Sequence, residues 1–133
     1  MKKPLVSIII RTKNEERWIT SCLNKIFDQN FKDFEVIIVD NNSKDKTIEK
    51  TKQFKISKVL QIKDFYPGKA LNLGIKNSKG KYFVCLSAHC IPKDKNWLKN
   101  LIKGITKNKK FAGSYGRQEP MQFSSPADKR DML

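Results

Sequence analysis

Short apolar runs recur along the chain, and most of them end on a polar cluster. Four runs have the length and β-branched content of strands that are apolar on both faces, at residues 5–10, 34–39, 58–62 and 82–86. Between the first two, apolar residues recur at helical spacing from Trp18 to Phe27. Strands that alternate with helices in this way predict an α/β fold with a mostly parallel, Rossmann-like sheet covered by helices on both faces.

The remaining segments predict three further helices and one further strand. Ser43 is expected to cap a helix that continues to about Phe54. A short helix is expected from about Lys69 to Lys76, and an amphipathic one from Trp97 to Ile105. The run from Phe111 to Tyr115 is expected to form a last strand.

Polar clusters follow three of the predicted strands, at residues 12–15, 40–43 and 87–89. Ligands of open α/β sheets bind beyond the carboxyl ends of the strands, so we expect the three clusters to meet at one edge. Asp40 suits a nucleotide base or a ribose hydroxyl there, and it suits a turn or helix cap equally well. Lys69, at the start of a helix, is a candidate for holding a diphosphate, although a surface lysine is the commoner case.

The charge of the chain is strongly positive. The 133 residues carry a formal net charge of +15, with 28 basic and 13 acidic side chains. Such a surface attracts nucleic acid, anionic membrane or phosphorylated small molecules, and a lysine-rich composition from an AT-biased genome explains it equally well. Only four of the basic residues are arginine and none is interleaved with aromatic residues, so we expect no specific nucleic-acid partner.

Several protein classes are disfavoured. The three cysteines have unrelated spacings, which fits reduced thiols rather than a disulfide framework or a zinc site. The apolar runs are far shorter than the ~18 residues of a membrane span, and no secretion signal is visible, so we expect a cytoplasmic protein. Neither GxGxxG after the first strand nor GxxxxGK[ST] is present, which argues against dinucleotide dehydrogenases and phosphate-loop NTPases.

Three stretches of the chain, taken in order, resemble glycosyltransferase family 2, which has the GT-A fold. They read VSIIIRTKNEERWITSCLNKI, FEVIIVDNNSKDKT and GKALNLGIKNSKGKYFVCLSAHCIP. The resemblance implies transfer of a sugar, with inversion, from a nucleotide-sugar donor such as a UDP-sugar to a saccharide or lipid-linked acceptor in cell-surface polysaccharide assembly. It implies a nucleotide-sugar-binding GT-A domain at residues 1–116, with residues 117–133 beginning an acceptor region or forming a disordered tail.

The resemblance also implies the residues of the donor site. By position they are Thr12, Glu15, Asp40, Asn42, Ser43, Lys69, Asn72, Ser87 and Ala88. The sequence departs from the family at the last of these motifs, because Ser87-Ala88-His89 stands where the family has an Asp-x-Asp triplet that binds ribose and Mn²⁺ or Mg²⁺. Serine can still bind a ribose hydroxyl and neutral imidazole can bind Mn²⁺, whereas affinity for Mg²⁺ should fall. We expect His89 to be a metal ligand, the alternative being a histidine that only makes a local hydrogen bond.

The resemblance assigns no catalytic residue. Asp128 and Asp131 are available acids that match the family's general base only loosely, and Arg117 is a candidate for stabilising the leaving diphosphate. The chain ends soon after His89, so we expect a truncated transferase. The positive charge also leads us to expect peripheral contact of the transferase with an anionic membrane, at its inner face. The alternatives are a non-catalytic nucleotide-sugar-binding fragment and a basic adaptor on an anionic membrane or nucleic acid.

Overall fold

The computed structural model describes residues 2–127 of the chain, which divides into two compact units between residues 96 and 97. The first unit contains β1 (Val6–Thr12), α1 (Ile19–Phe27), β2 (Phe34–Asp40), α2 (Thr47–Thr51), β3 (Lys58–Gln61), α3 (Pro67–Lys76) and β4 (Tyr82–Ser87), and the second contains α4 (Trp97–Thr106). Within residues 2–127, no helix is long and apolar enough to cross a membrane.

The four strands form one parallel sheet in the order β3-β2-β1-β4. The chain steps from β1 to β2 and β3 in one direction and then returns past β1 to β4. Because crossovers between parallel strands are right-handed, α1 and α2 lie on one face of the sheet and α3 lies on the other. The predicted α/β class, with a parallel sheet and helices on both faces, is confirmed.

The sheet is buried most completely at β1, one of its two inner strands. Ile9 packs with Val39 and Ala70 under α3. Successive side chains of a strand point to opposite faces, so Ile8 and Ile10 point away from α3, and both are fully buried. The face of α1 that is buried consists of Ile19, Cys22, Leu23 and Ile26.

The helix after β2 is shorter than predicted. It spans Thr47–Thr51, and no side chain caps it at its first residue. The expectation that Ser43 caps it is wrong, because the helix begins only at Thr47 and the Ser43 hydroxyl oxygen accepts the N–H of Asn14 instead. The Ser43 hydroxyl donates to Oδ1 of Asp40, at 2.5 Å. Asp45 accepts the backbone N–H of Thr47 at 2.9 Å, which directs the chain into the helix.

The expected strand at Phe111–Tyr115 is not formed. No strand is present in the described part of the second unit, so this apolar run has no partner strand within that unit. Instead, Ser114 donates from its hydroxyl to the Leu101 carbonyl at 2.9 Å, and the run lies back along α4. Asp128 and Asp131 lie outside the described residues.

Candidate functional site

The polar clusters come together at the carboxyl ends of β2, β1 and β4, which are neighbours in the sheet. In the register of the sheet, Thr12 of β1 lies beside Asp40 of β2, and Arg11 lies beside Ser87 of β4. Backbone bonds extend this contact past the strand ends, since Asn41 N–H donates to the Thr12 carbonyl at 2.9 Å. The prediction that the three clusters meet at one edge is therefore confirmed.

Asp40 lies at the centre of this edge and is only 1% exposed. Its carboxylate accepts two hydrogen bonds from Ser43, one from the N–H at 3.0 Å and one from the hydroxyl. Ser43 Oγ in turn accepts the N–H of Asn14, at 2.9 Å. Asn14 and Asn42 both have a φ of 51°, in the left-handed region that asparagine tolerates better than most residues. The turn-forming role of Asp40 is thus visible in the structure, and its role toward a nucleotide stays a prediction.

The loop after β1 and the loop after β2 are joined by further hydrogen bonds. Glu15 N–H donates to Thr47 Oγ1 at 2.8 Å, and Glu16 N–H donates to Asp45 Oδ2 at 3.1 Å. Partial desolvation opposes ionisation of Asp45, but the hydrogen bonds from Thr47 and Glu16 outweigh it and lower the pKa of this carboxyl. The two loops are therefore held as one surface at neutral pH.

A cleft of about 350 Å³ opens beside this surface. It is lined by Asp40, Asn42, Ser43, Ile48, Gln61, Ile62 and Lys63. Two isoleucines give it apolar walls, while the remaining residues supply polar groups and one positive charge. Its volume lies at the lower end of the range of small-molecule sites.

His89 and Glu15 form a pair on the other side of Thr12. Nδ1 of His89 lies 2.9 Å from Oε1 of Glu15, and the imidazole is 55% exposed. Because an ionised carboxylate can only accept hydrogen bonds, this contact requires the proton on Nδ1, and a neutral imidazole then has its lone pair on Nε2. In the part of the chain that the structure describes, no three His, Cys, Asp or Glu side chains are grouped closely enough to hold a metal ion.

The loop that carries His89 is bound to α1 by the hydrogen bond of a buried thiol. Sγ of Cys22, on α1, donates to the Cys90 carbonyl at 3.3 Å. Burial, with smaller contributions from Cys90 and Glu15, raises the pKa of Cys22 to about 12. The thiol therefore stays protonated and keeps its hydrogen bond over the physiological range.

Comparison with known families identifies the chain. The profile of the family described as Glycosyl transferase family 2 matches residues 7–130, which is nearly the whole sequence. The chain belongs to glycosyltransferase family 2. Its resemblance to this family, the GT-A class of its sheet and its standing as a glycosyltransferase domain are thereby confirmed.

Known relatives of this family 2 chain are longer than it is. A dolichyl N-acetyl-α-D-glucosaminyl phosphate 3-β-D-2,3-diacetamido-2,3-dideoxy-β-D-glucuronosyltransferase from Methanococcus voltae is 35% identical over 113 residues, which cover 79% of this chain and 35% of the relative. Glycosyltransferase AglE from Haloferax volcanii is 34% identical over 110 residues, covering 77% and 36%. The chain thus spans about a third of these relatives.

Solved structures share the fold. The TarS fragment 1–349 from S. aureus, in complex with UDP-GlcNAc, aligns with a TM-score of 0.69 and 28% identity over 90% of this chain and 37% of that one. The mannosyltransferase PcManGT from Pyrobaculum calidifontis, in complex with GDP-Man and Mn²⁺, aligns with a TM-score of 0.69 and 23% identity over 77% and 32%. The second likeness shows the fold alone.

Three of the residues implied by the family make no side-chain hydrogen bond with the described polar residues at the strand ends. Lys69 donates from Nζ to Asp64 at 2.9 Å and lies over the Tyr66 ring, and it is exposed. Asn72 is exposed in the second turn of α3. Ala88 is fully buried, so its methyl group cannot reach a ligand and only its neighbours offer polar side chains.

Two features of the site were not predicted from the sequence: the contact of Arg11, and the unpartnered hydroxyl of Thr12, a residue that was itself expected in the site. Arg11 donates from Nε to Ser87 Oγ at 2.9 Å, which places a guanidinium at the same edge. The hydroxyl of Thr12 is buried. Among the buried side-chain nitrogen and oxygen atoms of the described residues, it is the one that has no hydrogen-bond partner. The signal for Arg11 was present, because an arginine that continues an apolar strand must place its charge at the strand's end.

Proposed function

We propose that this edge of the sheet binds the nucleotide-sugar donor of a glycosyltransferase, a UDP-sugar in the first instance. The observation that carries the proposal is the meeting of three polar clusters at the carboxyl edge, beside a cleft large enough for a nucleobase. The UDP-GlcNAc complex of the TarS fragment, at 28% identity, supports this choice of donor.

Within this site the residues divide by chemistry. Ile48 and Ile62 offer apolar walls for a base, and the edge of Asp40 and Asn42 offers acceptors for its N–H groups. The Thr12 hydroxyl, buried without a partner, is available to a ribose or phosphate oxygen. We assign Glu15, Ser43, Lys69, Asn72 and Ser87 to the same donor site by their position in the family motifs. Ala88 belongs to the same motif, but it is fully buried and offers the donor no contact.

A divalent cation is the proposed cofactor, with Mn²⁺ favoured over Mg²⁺, and His89 is its proposed protein ligand. The contact between His89 and Glu15 is the carboxylate–imidazole pairing that orients metal-binding histidines. The described side chains supply only part of a ligand set, so oxygens of the donor diphosphate would supply the rest, as is common for cations bound with phosphates. When bound, such a cation neutralises charge on the leaving diphosphate.

The transfer that we propose proceeds with inversion to a saccharide or lipid-linked acceptor in cell-surface polysaccharide assembly. The relative from Methanococcus voltae, named for a dolichyl phosphate substrate, supports a lipid-linked acceptor. We propose a cytoplasmic location at the inner face of the membrane, where such acceptors are accessible. The general base is not assigned, and Arg117 stays a candidate for stabilising the diphosphate.

The alternative function is nucleotide-sugar binding without transfer. It is favoured by Ser87-Ala88-His89 in place of the family's Asp-x-Asp. Release of UDP from a UDP-sugar only when a lipid-linked acceptor is added would establish transfer. Donor binding with no acceptor-dependent release would favour the alternative.

The donor site is tested by calorimetric titration of UDP, with and without Mn²⁺. The proteins compared are the wild type, His89→Ala, Glu15→Gln and, as a matched control, Glu49→Gln, which changes an exposed glutamate of α2. We expect Mn²⁺ to strengthen UDP binding by the wild type and the control but not by His89→Ala. Glu15→Gln should lose roughly tenfold of the Mn²⁺ effect, because the imidazole is no longer oriented.

Two results would contradict parts of this proposal. Equal UDP binding with and without Mn²⁺ in the wild type and His89→Ala would leave the donor site intact and remove the metal role. A folded wild type that does not bind UDP, with or without Mn²⁺, would refute a UDP-sugar donor.

A further inference from the structure

We propose that the second unit docks on the surface of an anionic phospholipid membrane through a lysine stripe on α4, formed by Lys99, Lys103 and Lys107. The proposal gives a location to the membrane contact and goes beyond donor binding. It depends on residues of the second unit only, so it stands or falls separately from the donor site.

The lysine stripe follows from helical spacing. Its members are four residues apart, so they lie on one face of the helix. Lys107 is included because its N–H donates to the Lys103 carbonyl at 3.1 Å, which continues the helical pattern just past Thr106. All three side chains are exposed.

The ammonium groups of the stripe are not neutralised within the described chain. No carboxylate among residues 2–127 pairs with them, whereas Lys95 pairs with Asp28 at 3.6 Å and Lys69 pairs with Asp64. Within residues 97–127 there are six basic side chains and one acidic side chain, Glu119, a surplus of five. The stripe is therefore a concentrated patch of positive charge and suits a surface of phosphate groups.

The side chains that accompany the stripe favour a membrane. The opposite face of α4 is aliphatic and packs within the protein, since Leu98 is fully buried and Leu101, Ile102 and Ile105 are half-buried, so the lysine face is the one left to meet a charged surface. The segment that lies back along α4 exposes Phe111 and Tyr115, the latter 96% exposed. Exposed aromatic rings beside lysines are typical of the headgroup level of a bilayer.

Nucleic acid is the rival partner for a basic surface, and the same residues argue against it. Single-stranded nucleic acid is bound by aromatic stacking combined with arginine. The described part of the second unit holds one arginine, Arg117, against five lysines. Lysine binds phosphate as a point charge and gains less from base stacking than arginine.

The test is co-sedimentation with vesicles at 0.15 M salt, using phosphatidylcholine alone and an equal mixture of phosphatidylcholine and phosphatidylserine. The stripe variant is Lys99→Gln/Lys103→Gln/Lys107→Gln. The matched control is Lys25→Gln/Lys52→Gln/Lys76→Gln, which removes three charges from exposed lysines of the first unit. We expect wild type and control to bind the anionic vesicles and not the neutral ones. The stripe variant should bind on the order of 100-fold more weakly than the wild type, at roughly fivefold for each of the three charges.

Three outcomes would overturn the proposal. These are equal losses in the stripe variant and the control, no vesicle binding by the wild type, and displacement of the protein from vesicles by an oligonucleotide that it binds more tightly. Circular dichroism checks that both variants are folded, and UDP titration of the same proteins separates the two proposals. Vesicle binding without UDP binding refutes only the donor site, and UDP binding without vesicle binding refutes only the lysine stripe.

Discussion

A buried thiol can act as a structural hydrogen-bond donor, and Cys22 does so for the loop after β4. Its bond to the Cys90 carbonyl connects α1 to the residue after His89. Removing the sulfur would leave that carbonyl without this donor and leave a small cavity beneath the loop. The position of His89 therefore depends on a side chain that no ligand would touch.

The raised pKa of Cys22 predicts that this thiol is protected from alkylation. With a pKa of about 12, its thiolate fraction at pH 8 is roughly a thousandfold below that of an ordinary cysteine. We expect iodoacetamide at pH 8 to leave Cys22 unmodified in the folded protein and to modify it in urea, as measured by peptide mass spectrometry. Labelling of Cys22 at the same rate in both states would contradict this.

Asp45 predicts a dependence of stability on pH. The folded pKa of its carboxyl lies below the value of 3.8 expected when unfolded. Its contribution is therefore complete well above pH 4 and is lost as the pH falls through the folded pKa. Asp45→Asn should lower the free energy of unfolding by about 1–2 kcal/mol at pH 7, with a smaller difference from the wild type at pH 3.

Urea unfolding at the two pH values measures this effect. Asp64→Asn is the control, because Asp64 forms an exposed ion pair with Lys69, and such pairs contribute less than about 1 kcal/mol. A difference between wild type and Asp45→Asn that is as large at pH 3 as at pH 7 would show that ionisation of Asp45 is not the cause.

The elements of the first unit could be predicted where apolar residues decide them. β1 and β2 are apolar on both faces, and the structure extends each past its predicted end to the polar residues Thr12 and Asp40. Shorter elements depend on local competition for hydrogen bonds: Ser43 was expected to cap α2, but its hydroxyl oxygen accepts the Asn14 N–H and its proton is donated to Asp40. The pairing of Glu15 with His89 joins residues 74 apart in sequence, and no local pattern indicates it.

The contact between α3 and the sheet is close enough to exclude a methyl group at Gly74. A Cβ there would lie 2.3 Å from Cγ2 of Ile9 and 3.3 Å from Cγ2 of Val39, both in the buried core. We expect Gly74→Ala to lower the free energy of unfolding by about 1–3 kcal/mol, as overpacked cores do. The gain in helix propensity offsets at most about 1 kcal/mol of this.

Gly68, at the other end of the same helix, is the matched control. A Cβ at Gly68 would meet no atom within 4 Å. Gly68→Ala should leave stability unchanged or raise it by up to about 1 kcal/mol. Urea unfolding of both variants measures the contrast, and equal stabilities would show that α3 does not pack on β1 as closely as described.

At the scale of the whole molecule, the positive charge acts on any anionic ligand. The net charge of +15 raises the local concentration of anions around the protein and speeds their association, and salt screens this effect. Lys63 in the cleft and Arg11 at the strand ends bring part of the charge into the candidate site. The positive charge should therefore strengthen binding of the diphosphate and have little effect on binding of the uncharged base.

UDP and uridine separate these two contributions. We expect the Kd of UDP to rise by roughly tenfold between 0.05 and 0.3 M NaCl, because screening lengths fall over this range from above 10 Å to below it and each lost charge contact is worth a measurable factor. Uridine carries no charge, so its Kd should be higher than that of UDP and should change little between the two salt concentrations. Calorimetric titration at the two salt concentrations measures both values. If uridine and UDP responded to salt equally, the charge would be acting on the protein's fold rather than on the ligand. If neither responded, the site would recognise the nucleotide through its neutral contacts alone, and the excess of lysine would have no part in donor binding.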